Sequence, residues 1–218
     1  MILGVSSGAI SHARVLEFVR TRDRQLNLEL ECSHPLFHLL ETLLDVFPEA
    51  KIILTIRDCY SWLDSQLNSQ LSYIETRPWQ DFGDLKFAGE SGQYPPEEQV
   101  LDRFGLYTLD GYLSAWAYHN NTVLTTVPAD RLLVIRTQDI AADMQKLGDF
   151  LGVRSEYLDA AGAHSFKGGK KFNLLSRIDE QYLDDKVKRY CQLIMGTYFP
   201  EIENFKSWKS ARKQVVAN

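Results

Sequence analysis

Seven residues, Lys51-Ile52-Ile53-Leu54-Thr55-Ile56-Arg57, constrain the fold of this chain more than any other segment. The run is almost unbroken in apolar side chains and is bounded by Pro48 and Asp58. A strand with one wet face alternates apolar and polar residues; a strand without that alternation is buried on both faces of a parallel sheet. Helical patterns flank it. Pro35 opens one, with Leu36, Leu40, Leu43, Leu44 and Phe47 recurring at helical spacing until Pro48 stops it. Residues 60–71 supply the next. Helix, strand and helix in this order predict an α/β fold with a central, mainly parallel sheet flanked by helices.

The remaining chain extends this pattern. Residues 2–5 read as a short strand, followed by the small polar loop Ser6-Ser7-Gly8, and residues 12–20 as a helix with Val15, Phe18 and Val19 on one face. Asp130-Arg131 introduces a second parallel-type strand, Leu132-Leu133-Val134-Ile135-Arg136. Helices are expected over 100–120, over 141–151 with Gly152 as its cap, and over 178–198. Between them, residues 75–98 carry Pro78, Gly83, Gly89, Gly92, Pro95 and Pro96 among the aromatics Trp79, Phe82, Phe87 and Tyr94. This is a long loop or short-helix insertion, the kind of segment that forms lids and binding loops. No repeat or linker interrupts the 218 residues, so a single domain is expected.

Composition narrows the partners. Lys and Arg number 24 against 29 Asp and Glu, a net charge of −5. An acidic chain is a poor general binder of nucleic acid or anionic membrane, but a local basic cluster can still hold one small anion. The apolar runs are short and broken by charge, so no membrane span is expected. Cys32, Cys59 and Cys191 form no CxxC pair, which argues against a disulfide framework or a structural metal and for a reducing compartment. The first residues lack the basic, extended apolar pattern of a secretory signal, and a cytoplasmic location is expected.

The chemistry concentrates at the end of the first strand. An Arg at that position places a guanidinium at the carboxyl edge of the sheet, where open α/β folds bind ligands. Ser65 follows eight residues later, about two turns into the helix, and could share one anion with Arg57. A guanidinium offers phosphate a bidentate fork and a hydroxyl adds a donor. The competing reading pairs Arg57 with Asp58 or Asp64 and leaves Ser65 idle. A second anion candidate lies between Ala160 and Ile178, where Lys167, Lys170, Lys171 and Arg177 occur without an acidic residue, and Gly168 and Gly169 allow close backbone approach.

These residues resemble the sulfotransferase family. Residues 50–65, AKIILTIRDCYSWLDS, match its strand–helix motif; DRLLVIRTQDI at 130–140 resembles its second strand and acidic turn, and LGDFLG at 147–152 its helix end. The resemblance extends from about Glu31 to Pro200. It implies a P-loop-like α/β architecture and transfer of a sulfuryl group from 3′-phosphoadenosine 5′-phosphosulfate to an acceptor hydroxyl, without a metal. It assigns the donor's 3′-phosphate to Arg57 and Ser65, with Lys167, Gly168 and Lys170 closing over it. Cys59 stands where many members have Pro.

Cys32-Ser33-His34-Pro35-Leu36 resembles the stretch that carries the catalytic His, making His34 the candidate base; a neutral imidazole can accept the hydroxyl proton near pH 7. The alternative is a His that only serves the helix start. The insertion at about 75–98 corresponds to the acceptor pocket, whose aromatics suit a small-molecule, glycan or lipid alcohol. The family's amino-terminal phosphate loop is matched weakly. Ser7 and Gly8 have the right place, but residues 4–11 contain no Lys or Arg to face the sulfuryl group. A remodelled loop and a shortened chain are both compatible with this. A catalytically silent nucleotide-binding or scaffold protein of the same fold is therefore the rival reading.

Overall fold

The computed structural model describes residues 2–6, 8–73, 76–90, 92–159 and 170–216. Two strands occur among them, β1 (Ile52–Ile56) and β2 (Leu132–Arg136), paired in parallel as a two-stranded sheet. Both match the predicted apolar runs. The fold is accordingly α/β but mostly helical, with a smaller sheet than the strand pattern alone suggests. The chain divides into two compact units, residues 1–54 with 122–133 and residues 55–121 with 134–218.

The first unit holds α1 (Ile2–Ser6), α2 (His12–Leu26), a 3₁₀ turn (His34–Leu39) and α3 (Leu40–Val46). Its core is Val15, Val19 and Leu39, with Val5, Ile10, Leu43, Val46 and Phe47 packed against them. Residues 2–5, expected as a strand, are helical instead: four apolar residues in a row carry no period by which the two can be told apart. Pro35 does start the next element, but as a 3₁₀ turn that becomes α-helical only at Leu40. Arg131 ties the two strand entrances together, donating through Nε to the Ala50 carbonyl at 2.9 Å and through its terminal nitrogen to that of Phe47 at 2.7 Å.

The second unit contains α4 (Cys59–Ser72), α5 (Arg77–Phe87), α6 (Gln99–Arg103), most of α7 (Leu109–Thr126), α8 (Met144–Leu151), α9 (Glu180–Tyr198) and α10 (Phe205–Val216). Tyr60, Leu63, Leu67, Phe87, Leu101, Leu109, Tyr112, Leu113, Cys191, Phe199 and Phe205 are buried in it. The expected 100–120 helix is broken at residues 104–108, where Gly105 takes a φ of 65°. The insertion is not irregular throughout: Pro78 sits in the first turn of α5, where its missing N–H costs nothing. A final helix, α10, follows the one predicted at 178–198. Asn204 and Ser207 cap it reciprocally, the Ser207 N–H donating to Asn204 Oδ1 at 2.9 Å and the Asn204 N–H to Ser207 Oγ at 3.1 Å.

α8 ends as the sequence predicts, on Gly152 at φ 77°. Gly148 one turn earlier has a different constraint. A Cβ there would stand 2.7 Å from the Val153 carbonyl oxygen and 3.1 Å from the Ser155 nitrogen, both backbone atoms that cannot swing away. Gly148→Ala should therefore destabilise the second unit by about 1–3 kcal/mol through overpacking. Gly152→Ala, with open space around it, should lose only about 1–2 kcal/mol from the left-handed backbone. Denaturant unfolding of both variants checks the order; an equal or smaller loss at Gly148 would show that the 153–155 turn yields.

Candidate functional site

The carboxyl end of β1 leads directly into α4, and Asp58 makes the junction. Its carboxylate accepts the Ser61 N–H at 2.8 Å, closing the first turn of the helix. Burial pushes the Asp58 carboxyl above the ordinary carboxylate range, against the opposing effects of the Ser61 hydrogen bonds and the nearby charges of Arg57 and Arg212. On the strand side, the Trp116 indole donates to the Arg57 carbonyl at 3.2 Å and Thr137 donates to that of Ile56 at 3.1 Å. The backbone beside Arg57 is thereby fixed from two directions.

Along α4, Ser61, Asp64, Ser65, Asn68 and Ser72 recur at three- and four-residue spacing and form one polar stripe. Two of its members, Asp64 and Asn68, are buried. Buried polar groups require partners, and residues 170–172 and α10 provide them. Lys171 Nζ reaches Asp64 at 3.3 Å and Arg212 reaches the same oxygen at 2.9 Å. The Phe172 N–H donates to Asn68 Oδ1 at 2.8 Å, and the Trp208 indole donates to Ser61 Oγ at 2.8 Å.

Ser65 on this stripe and Arg57 just before α4 are both half-buried. The Arg57 guanidinium lies within electrostatic reach of Asp58 but forms no hydrogen bond or ion pair with any described residue, nor does the Ser65 hydroxyl. Asp64, the other carboxylate considered for Arg57, is occupied by Lys171 and Arg212. Lys170 is exposed, its ammonium 5.2 Å from the centre of the Phe172 ring. Lys167, Gly168 and Ser7 lie outside the described residues.

Gly8 adopts a φ of 71° after α1, and its N–H donates to the Val5 carbonyl at 3.0 Å, while Ile10 donates to that of Gly4 at 3.0 Å. Those amides close the end of a helix, an arrangement unlike a strand–glycine–helix loop whose amides converge on an anion. His34 is exposed at the start of the 3₁₀ turn, and His38 packs edge-on against Phe37 at 5.3 Å.

Comparison with known proteins agrees with the strand–helix geometry. Residues 27–156, more than half of the chain, match the sulfotransferase domain family. The chain belongs to that family. A 106-residue segment is also 30% identical to Ava biosynthesis cluster protein M of Aspergillus versicolor. That match covers 45% of this chain and 41% of the relative, so the chain spans less than half the length of that protein in the alignment. No solved structure matches.

Within this sulfotransferase domain, the matched residues include His34, Arg57 and Ser65, while Lys170, Lys171 and all of α9 and α10 lie beyond them. Sequence reasoning considered Asp64 only as a partner for Arg57 and passed over Asn68, Trp208 and Arg212. The polar stripe was a readable signal for the first two; nothing local announces a pairing across 148 residues. No group of His, Cys, Asp and Glu among the described residues is arranged to hold a metal, and no described helix is long and apolar enough to cross a membrane.

The aromatics of the insertion are mostly packed inward. Phe87 is buried against Trp62, Tyr107 and Tyr112, with ring centres 6.4, 5.3 and 4.9 Å away, and Phe82 is buried against Trp79. Trp79 remains 56% exposed. Lys86 lies over the Phe87 ring at 4.6 Å, and burial pushes its pKa down to about 8.

Asp58 offers a direct check on the site's electrostatics. A carboxyl whose folded pKa is raised stabilises the fold when protonated, so that contribution is present below the unfolded value of 3.8 and is lost as pH rises through the folded value. At neutral pH Asp58→Asn, which keeps the cap and removes the buried charge, should be as stable as wild type or more so. Asp58→Ala loses the cap and should be about 1 kcal/mol less stable. Urea unfolding at pH 7 and pH 4.5 checks both; a large loss in the Asn variant at pH 7 would mean that the charge itself holds the junction together.

Proposed function

We propose that this chain binds 3′-phosphoadenosine 5′-phosphosulfate through its 3′-phosphate and transfers the sulfuryl group to the hydroxyl of a small-molecule, glycan or lipid acceptor. The observation that carries the reading is the pairing pattern on α4. Asp58 caps the helix and Asp64 holds two cations, whereas the Arg57 guanidinium and the Ser65 hydroxyl have no hydrogen-bonding partner among the described residues. A half-buried guanidinium and a hydroxyl left available at the carboxyl edge of a parallel strand suit a phosphate dianion. Family membership supplies the reaction class. In that reaction the bond between sulfur and the donor's 5′-phosphate oxygen breaks, a bond from sulfur to the acceptor oxygen forms, and the hydroxyl proton passes to a base.

His34 is the base in this reading, and Lys170 with Lys167 and Gly168 adds positive charge and backbone donors toward the 3′-phosphate. The second reading, nucleotide binding without turnover, draws on the amino-terminal segment. Residues 4–11 carry no Lys or Arg, and the Gly8 and Ile10 amides are occupied within their own turn. Ser7 and Gly8 are thus weak candidates for the donor's 5′ end, and turnover by the chain is expected to be low beside its nucleotide affinity.

Calorimetry with 3′-phosphoadenosine 5′-phosphate tests the binding claim. Arg57→Ala should weaken that nucleotide by about 2–3 kcal/mol and leave adenosine 5′-phosphate nearly unchanged. Equal losses for both would make Arg57 a structural residue. Where sulfate transfer is measurable, His34→Asn should lower turnover by roughly 10²–10⁴-fold at nearly constant nucleotide affinity and remove the acidic limb of the pH–rate profile. Retained activity would move the base elsewhere.

A further inference from the structure

Arg212 is a cation for which the family match offers no account. It lies on α10, well beyond residues 27–156, yet its guanidinium reaches the buried Asp64, the residue immediately before Ser65. Several contacts determine where it sits. It stacks on the Trp208 ring at 4.8 Å; Trp208 is stacked on Phe205 with ring centres 5.1 Å apart and is hydrogen-bonded to Ser61 on the polar stripe. Arg212 is also close enough to Asp58 to act on its carboxyl, as Arg57 is. Arg57 and Arg212 thus both act electrostatically on the carboxylate that starts α4.

Asp64 requires one cation for neutrality and has two, Lys171 and Arg212. The Arg212 guanidinium uses one terminal nitrogen on Asp64, and its other donors have no hydrogen-bond acceptor among the described residues. Its side chain is 43% exposed, so the guanidinium is not sealed into the core. Ser65 follows Ser61 by four residues and precedes Asn68 by three, which places it on the stripe that α10 and residues 170–172 both cover. A stacked, ion-paired Arg has lost most of its conformational freedom before any ligand arrives, so little further ordering opposes binding.

We propose that Arg212 is a third contact for the donor's 3′-phosphate, held beside Ser65 by Asp64 and Trp208, so that the carboxy-terminal helix helps to select a 3′-phosphorylated nucleotide. The proposal rests on the reading that Arg57 and Ser65 bind that phosphate. Arg212 presents charge and planar donors from α10, Arg57 presents them from the strand end, and the Ser65 hydroxyl lies between them in sequence on α4. Asp64 is the positioning residue, since it fixes Arg212 without itself meeting the anion.

The test titrates the full chain with 3′-phosphoadenosine 5′-phosphate and, separately, with adenosine 5′-phosphate. Arg212→Gln keeps an N–H donor for Asp64 and an aliphatic stem on Trp208 while removing the charge, so it should fold where Arg212→Ala does not. It should weaken the 3′,5′-bisphosphate at least tenfold, leave adenosine 5′-phosphate within twofold, and make the salt dependence of bisphosphate binding shallower. Arg212→Lys should recover part of the loss. Wild-type affinity for the bisphosphate in Arg212→Gln, alongside weakened binding in Arg57→Ala, would overturn the proposal and leave Arg212 a partner of Asp64 alone. Equal losses for both nucleotides would overturn it as well. Failure of the wild-type chain to prefer the bisphosphate at all would instead remove the Arg57–Ser65 reading on which it stands.

Discussion

The second unit depends on a carboxylate in an unfavourable place. Asp64 is 6% exposed in the middle of a helix whose neighbouring turns bury Tyr60, Leu63 and Leu67. An ionised carboxylate in such surroundings costs several kcal/mol unless charge and hydrogen bonds compensate it. The compensation comes from Lys171 and Arg212, which lie 107 and 148 residues further along the chain. Asn68 on the next turn makes a similar demand and is met by the Phe172 N–H. The polar stripe of α4 thus recruits residues 170–172 and α10, and an apolar stripe of the same shape would accept many other packings. Specificity of this kind arises from buried polar groups because a misplaced partner leaves a charge uncompensated.

How much of this was legible in the sequence follows from how local each signal is. The strand 52–56 could be read because it is apolar without alternation, and α8 because Gly152 ends it in the left-handed region that ordinary residues rarely adopt. Arg57 and Ser65 could be named together as candidates because both belong to one strand–helix segment, eight residues apart. Residues 2–5 were misread since four apolar residues fit either period. α5 was obscured by Pro78 and Gly83, which look like breakers; Pro78 occupies a helix start, and Gly83 leaves room for the Tyr107 hydroxyl at 3.0 Å from where a Cβ would stand. α10 had a readable start in Asn204 and Ser207, followed by Phe205 and Trp208 one turn apart. The Asp64–Arg212 pair was beyond sequence reasoning because only the folded chain brings α10 to α4.

Charge at the proposed phosphate site can be weighed in the same terms. Two carboxylates, Asp58 and Asp64, already stand on the face where an anion would bind, and a dianion brought near them is repelled. The site suits such a ligand only if cations outnumber these carboxylates and stay where they are needed. Arg57, Lys171 and Arg212 exceed the carboxylates by one, and the exposed Lys170 extends the excess. Burial works in the same direction, since it raises the Asp58 carboxyl and weakens its hold on a full negative charge. A chain of net charge −5 therefore keeps a small local excess of positive charge beside one helix, and Asp64 contributes to it by holding in place two cations that its own single charge cannot both neutralise.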